Sequence, residues 1–519
     1  VSGDAQLGTI AIGKVALNAM TSGTQNIAIG YESLTSDAIG TGSTSIGYQA
    51  LKAFNKAGTG GGVAGNTAVG SSAMRYIDNA AAIENTSIGF NSLRGANATG
   101  NNAKQNVAVG YESLFGITTG DNNVAVGYKA GDSLSTGFFN IIIGSNAGET
   151  MTTQDEMVLI GHQSGAAVNN DNSDGMVAIG YQAGQAATQN QQYSVFLGKQ
   201  SGHTMTTGTN NTFLGYYTGA LLGHADADDN VFIGTSAGAS GDYTAANNTS
   251  NKNVAIGKSS MGGGTADTVF EADNNVAVGY ESLKSILSGS NNTAIGNEAG
   301  AAITTASSIV AIGSNAGDAL TVGSSNVLVG KSAGSTMVED RNCVAIGRNA
   351  LENANGGGSD GAGSDTNNTA VGAFSGDLIT IGDGNTLVGS NTDVSANNGS
   401  NQLVLGNGVV GIANNTAVIG NASVTDVYMG SDSGAAVHSG ALVNGLTAIN
   451  LTGDTTLALD THSVVRGRYV TVSATGVITL PTVVIGAVFI IVNIAADDST
   501  LLTVSPQSGD KFAVDIACA

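Results

Sequence analysis

Asn106-Val107-Ala108-Val109-Gly110-Tyr111-Glu112-Ser113-Leu114 is the stretch that decides the fold, because close copies of it recur along most of the chain. Its five-residue core returns as Asn26-Ile27-Ala28-Ile29-Gly30, Asn253-Val254-Ala255-Ile256-Gly257 and Asn292-Thr293-Ala294-Ile295-Gly296. Twenty-three glycines close such phrases, from Gly13 through Gly127 to Gly420, and 12 of the 22 intervals between them are 17 residues long. Self-similarity at a fixed period marks a stack of like units. A stack lengthens without needing a larger core, so 519 residues do not imply several globular domains here.

Within the phrase, side chains alternate as they do on a strand. Val107 and Val109 put branched apolar groups on one face; Ala108 and Gly110 put small ones on the other. Neither face suits water, and strands buried on both sides belong to parallel arrangements. One face can pack inside its own coil. The other needs a covering layer that nothing else in the repeat supplies, and another copy of the chain supplies it most simply. An oligomer is therefore expected.

The residue after the glycine varies: Tyr31, Tyr48, Tyr111, Tyr128, Tyr181, Tyr216 and Tyr280, but also Lys14, Lys258, Lys331 and Arg348. A site that takes either an aromatic or a cation reads as a partly exposed rung. Tyr31, Tyr48, Tyr111, Tyr128, Tyr181 and Tyr280 form a candidate surface ladder, read first as the edge of a packed layer and second as a glycan contact. Three places after the glycine the residue is small, and the next is Leu or Met (Leu34, Leu114, Leu283) or Gly (Gly131, Gly148, Gly300). That position offers a choice between filling a gap and making a tight turn. The remainder is Asn, Asp, Ser, Thr and Gly, the residues of turns, and the extra residues of the long intervals fall there. Stacked asparagines such as Asn106, Asn253 and Asn292 are placed to form an amide ladder. At about 4.8 Å per coil, 23 coils give a rod about 110 Å long.

The phrases Asn106 to Leu114 and Asn292 to Gly300 resemble the head repeats of YadA-type trimeric autotransporter adhesins, and still more the related repeats in tail fibres and appendages of tailed bacteriophages. The resemblance covers roughly residues 9 to 421 and rests on the number of copies. It implies an all-β fold, a left-handed parallel β-roll (a solenoid) of three chains about a common axis. The adhesin heads have somewhat shorter repeats than 17 residues, so their coil geometry need not carry over. The repetitive β-roll is expected over 1–421, a transition segment over 422–455 and a small C-terminal β-sandwich-like domain, cut short at its end, over 456–519. Arg468 to Val472, Val477 to Pro481, Ala487 to Ile494 and Leu501 to Pro506 are its candidate strands, similar to β-domains of phage fibre and head-decoration proteins.

A net charge of −22 argues against nucleic acid or an anionic membrane surface as partner. The longest apolar run, Val483 to Val492, is about half the length of a membrane helix. Chemistry is equally sparse. His162, His203, His224, His438 and His462 are scattered, no Ser-His-Asp arrangement can be assembled, and no enzyme is expected. Acidic loops carrying Asp171, Asp174, Asp226, Asp228 and Asp229 read first as solvated turns; calcium is the one cofactor their oxygens could hold. Cys343 occupies the position of Ile309 and Met176 and reads as a small buried hydrophobe. The functional expectation is a homotrimeric fibre subunit of a tailed-phage virion, contacting other virion proteins and a host glycan or protein receptor. A bacterial cell-surface adhesin head is the alternative. The chain starts at Val1 and not at Met, which fits a processed or partial chain.

Overall fold

A computed structural model of the chain describes residues 7–55, 63–97, 100–170, 173–220, 227–239, 250–263, 271–355, 366–425 and 427, together with the backbone of six short strands between 449 and 505. Among the described residues the protein is all-β, with no helix. The backbone divides into two compact units, Val1–Thr425 and Asp426–Ala519.

The first unit is a parallel β-solenoid of about 22 turns. Twenty-three three-residue strands run from β1 (Ile10–Ile12) to β23 (Ala417–Ile419), and each pairs in parallel with the next in sequence. Each is followed by one of the 23 recurring glycines. Register never slips: Val107 faces Val124, Ala108 faces Ala125 and Val109 faces Val126. It also survives the long intervals, with Thr44 opposite Thr67 and Val344 opposite Thr369. Insertions are therefore absorbed in the turns.

The glycine permits this stacking. Gly110 and Gly127 have φ of 134° and 143°, and a Cβ on either would lie 2.3 Å or 2.5 Å from the carbonyl oxygen of the next glycine in the stack. Gly30, Gly257 and Gly296 are held in the same way. No side chain fits there without separating two coils.

The strand also resolves which face points inward. Its central residue is fully buried (Ala28, Ala108, Phe196, Phe213 and Leu328, for example), while the two branched residues flanking it are only partly buried. Two further positions fill each coil. Four residues after the glycine stand Leu34, Leu114 and Leu283, or a glycine; seven after it stand Ile117, Leu134, Met151, Met205 and Ile303, all buried. A bulky strand centre excludes leucine here, whereas alanine centres take either residue, with Gly131 and Gly300 accompanying Ala125 and Ala294. Leu114 accompanies Ala108, whereas Gly202, Gly219 and Gly238 accompany Phe196, Phe213 and Phe232. A Cβ on Gly219 would come within 2.3 Å of the Phe213 ring. Both residue types turn left-handed here, Leu114 at φ 48° and Gly219 at φ 67°, so packing decides between them.

Buried asparagines join the coils. Asn123 Nδ2 donates to Gly137 O at 2.8 Å, and Asn123 Oδ1 accepts the Asn140 N–H at 3.0 Å. Asn106 is bonded alike to Gly120 and Asn123. Asn253 and Asn292 continue the pattern towards Ala272 and Ala306. Each amide thus satisfies a backbone donor and a backbone acceptor that water cannot reach.

In the second unit, Ile449–Leu451, Arg466–Val472 and Val488–Asn493 form one three-stranded parallel sheet. Thr455–Thr456, Gly476–Thr479 and Leu502–Ser505 form another. The strands alternate between the sheets along the chain. Successive strands therefore belong to different sheets and do not pair as hairpins.

The volume rule is testable by a double-mutant cycle on denaturant midpoints. Phe213→Ala alone should cost about 3–5 kcal/mol, and Gly219→Leu alone should be similarly damaging through overlap with the ring. Combined, they should be at least about 2 kcal/mol more stable than the sum of the two losses. Simple additivity would refute the compensation. Gly127→Ala should cost at least about 2 kcal/mol. Gly384→Ala, at φ 66° with open space around it, should cost only about 1 kcal/mol.

Candidate interaction surface

Inward alanine forces outward valine and isoleucine. Ile46, Ile88, Leu197, Leu214, Ile256, Ile295, Ile346 and Val388 are 36–43% exposed, all at the last position of their strands. With the half-buried residues two places earlier, valine in some coils (Val107, Val276) and threonine in others (Thr44, Thr293), they form one branched, largely apolar stripe on the outer face of the sheet. Twenty-two steps make it about 105 Å long, and two strand residues make it about 7 Å wide. The resulting area of about 700 Å² exceeds the few hundred that a soluble monomer leaves exposed in one patch.

Beside the stripe runs the variable rung. Tyr31, Tyr48, Tyr111, Tyr128, Tyr181 and Tyr280 are 40–51% exposed. Tyr31 stacks on Tyr48 with ring centroids 5.5 Å apart, and Phe90, Tyr111 and Tyr128 stack at 5.4 Å and 5.2 Å. Tyr181 stacks on His162 on one side and meets Lys199 on the other, while Tyr280 carries Lys258. The six tyrosines are thus brought into separate short runs, not one continuous ladder: Ser71, Ser145 and Thr235 occupy the same rung between them. Within a run, neighbours cover the ring faces and leave edges. A sugar ring needs a face to stack upon, so the geometry favours the packed-edge reading over glycan contact. Carboxylates flank these rings: hydrogen bonding to Glu32, Glu112 and Glu281 raises Tyr31, Tyr111 and Tyr280 above the ordinary phenol range. Glu32 is in turn lowered, first by Lys52, which lies 2.5 Å away, and then by Gln49.

The acidic loop residues take up turn chemistry. Asp174 Oδ1 accepts the Asp155 N–H at 2.9 Å. Asp228 Oδ1 accepts the Thr209 N–H at 2.7 Å and its hydroxyl at 3.1 Å; Asp229 accepts Asn210 Nδ2 at 3.2 Å. Asp171 and Asp226 lie outside the described residues. Among the described residues no three His, Cys, Asp or Glu side chains are gathered where a metal could bind. Cys343 is buried, 2.8 Å from Thr366 Oγ1, and burial pushes its thiol up to about 11. His203 is lowered by burial.

One acidic pair was not visible from the sequence. Asp393 lies beside Asp377 of the preceding coil; burial, and then a hydrogen bond with Asp377, push its carboxyl up to about 7. Asp393 also accepts the Leu378 N–H at 3.1 Å. Sixteen residues separate the two acids, and only the coil spacing would have placed them together.

No protein-family model, curated protein or solved structure matches the chain. No helix among the described residues is long and apolar enough to cross a membrane.

The acidic pair sets a pH dependence. A carboxyl near 7 in the folded chain and about 3.9 unfolded binds more protons when folded, so its contribution to stability falls as pH rises between those values. The melting temperature should therefore decline from about pH 4 to about pH 7 by a component that Asp393→Asn removes. An unchanged slope in that variant would contradict the shared proton.

Proposed function

We propose that this chain is a structural subunit of an extended appendage, a homotrimeric fibre of a tailed-phage virion that holds a host-contacting surface away from the particle. The observation that carries this reading is the stripe. It runs along the whole stack on one face, so any cover must be equally long and equally straight, and a parallel copy of the same rod meets both conditions. Closed rotational symmetry lets each copy present the same surface to the next. Three copies, wound left-handed, is the number implied by the resemblance of the repeats.

In this reading the chain works mechanically. The amide ladder and the in-register sheet make the rod stiff, and the turns, where length and composition vary, are free to differ without disturbing it. Recognition of a host receptor and attachment to other virion proteins belong to the turns and to the second unit. No catalytic role is assigned.

Light scattering coupled to size exclusion should return a particle about three times the 51.1 kDa of one chain. Val109→Lys with Ile295→Lys, both on the stripe and neither inside a coil, should yield monomers that keep their β-sheet circular dichroism. A wild-type monomer would defeat the proposal, and so would lysine variants that remain fully assembled.

A further inference from the structure

We propose that the turn side of the coils that follow Gly330, Gly347, Gly372 and Gly389 is a binding site for a neutral saccharide, anchored by Asp377 and floored by Leu378. This deepens the appendage reading by giving the contacted surface a chemical class. The site is an open cavity of about 530 Å³, bounded by Thr336, Asn353, Asp377, Leu378, Thr380 and Asn397. That volume falls in the range of small-ligand sites. The lining residues stand five to eight places after their glycines, on the turn segment and not on the strand that carries the stripe.

The walls are fixed before any ligand arrives. Asn353 Nδ2 donates to Asp377 O at 2.7 Å, the Thr336 hydroxyl donates to Glu352 O at 2.5 Å, and the Thr380 hydroxyl donates to Asn397 O at 3.3 Å. Leu378 is pinned through its N–H to Asp393, which leaves its side chain 44% exposed at the cavity. Pre-ordering of this kind lowers the entropic cost of binding.

The polar groups suit hydroxyls. A sugar hydroxyl donates and accepts together; a carboxylate accepts from two such groups, and an amide offers both functions. Asp377 supplies the acceptor, Asn353 and Asn397 the amides, and Leu378 an apolar contact for the C–H face of a pyranose ring. Charge narrows the class. Among the described residues no Lys or Arg lines the cavity, the Asp377 carboxyl does, and the chain carries −22, so phosphorylated, sulfated and sialylated sugars are disfavoured.

The full chain should be applied to a printed array of neutral and sialylated glycans, with hits measured by saturation-transfer NMR and calorimetry. Binding is expected to neutral glycans, with sialylated forms of the same glycans bound at least tenfold more weakly. Asp377→Asn and Leu378→Ala should each weaken it at least tenfold while the β-sheet circular dichroism is unchanged, and Leu378→Ala should leave the melting temperature in place. The site is overturned by an array without neutral hits, by binding indifferent to both substitutions, or by Ca²⁺ binding there with no saccharide. A trimer that binds no glycan would defeat the site and leave the appendage reading standing; a glycan-binding monomer would do the reverse.

Discussion

The close approach of one backbone to the next at the strand-ending glycine governs the rest of this molecule. Where a Cβ would stand 2.3 Å from the neighbouring carbonyl oxygen at Gly110, no other residue keeps the coils at sheet spacing. That approach fixes the register, and the register fixes which side chain of the three-residue strand points inward. The central residue goes in, alanine in many coils and phenylalanine or leucine in others. Branched residues are then left on the outside of every coil, and their stripe follows from the same constraint.

Interior volume is the second level of order. A strand carrying alanine accepts a leucine four residues beyond the glycine, as with Ala108 and Leu114, or a glycine, as with Ala125 and Gly131; a strand carrying phenylalanine requires glycine there, as with Phe213 and Gly219. The left-handed backbone at that position is common to both, so the stack tolerates either solution without a change of path. The amide ladder tolerates exceptions as well. Cys343 and Ile309 replace asparagine and still present their N–H groups to Asn326 Oδ1 and Asn292 Oδ1. A partial ladder suffices because each amide bonds only to the adjacent coil.

Much of the solenoid was legible in the sequence, since period, alternation and turn composition repeat in every unit. The glycines, the amide ladder and the two-sided apolar strand could be read from the recurrence of one short phrase. The inward direction of Ala108 could not, because both faces of the strand are apolar. Nor could the buried role of Ile117, Leu134 and Met151, which stand alone in polar turns and acquire a core only when coils stack. In the loops, Asp174 and Asp228, read from sequence first as turn residues and second as calcium ligands, hold backbone N–H groups. Asp377 and Asp393 carried no local signal, being neighbours across coils and not along the chain. In the second unit the strands pair with every second neighbour, an order that turn spacing does not encode.

The central claim is that the outward stripe is covered by copies of the same chain. Site-specific photo-crosslinking tests it most directly, with a benzophenone amino acid placed at Ile295 on the stripe or at the exposed turn residue Thr305. The account predicts two-chain and three-chain products from Ile295 and none from Thr305. Crosslinks from Thr305 alone, or none from Ile295 in the concentrated protein, would contradict it.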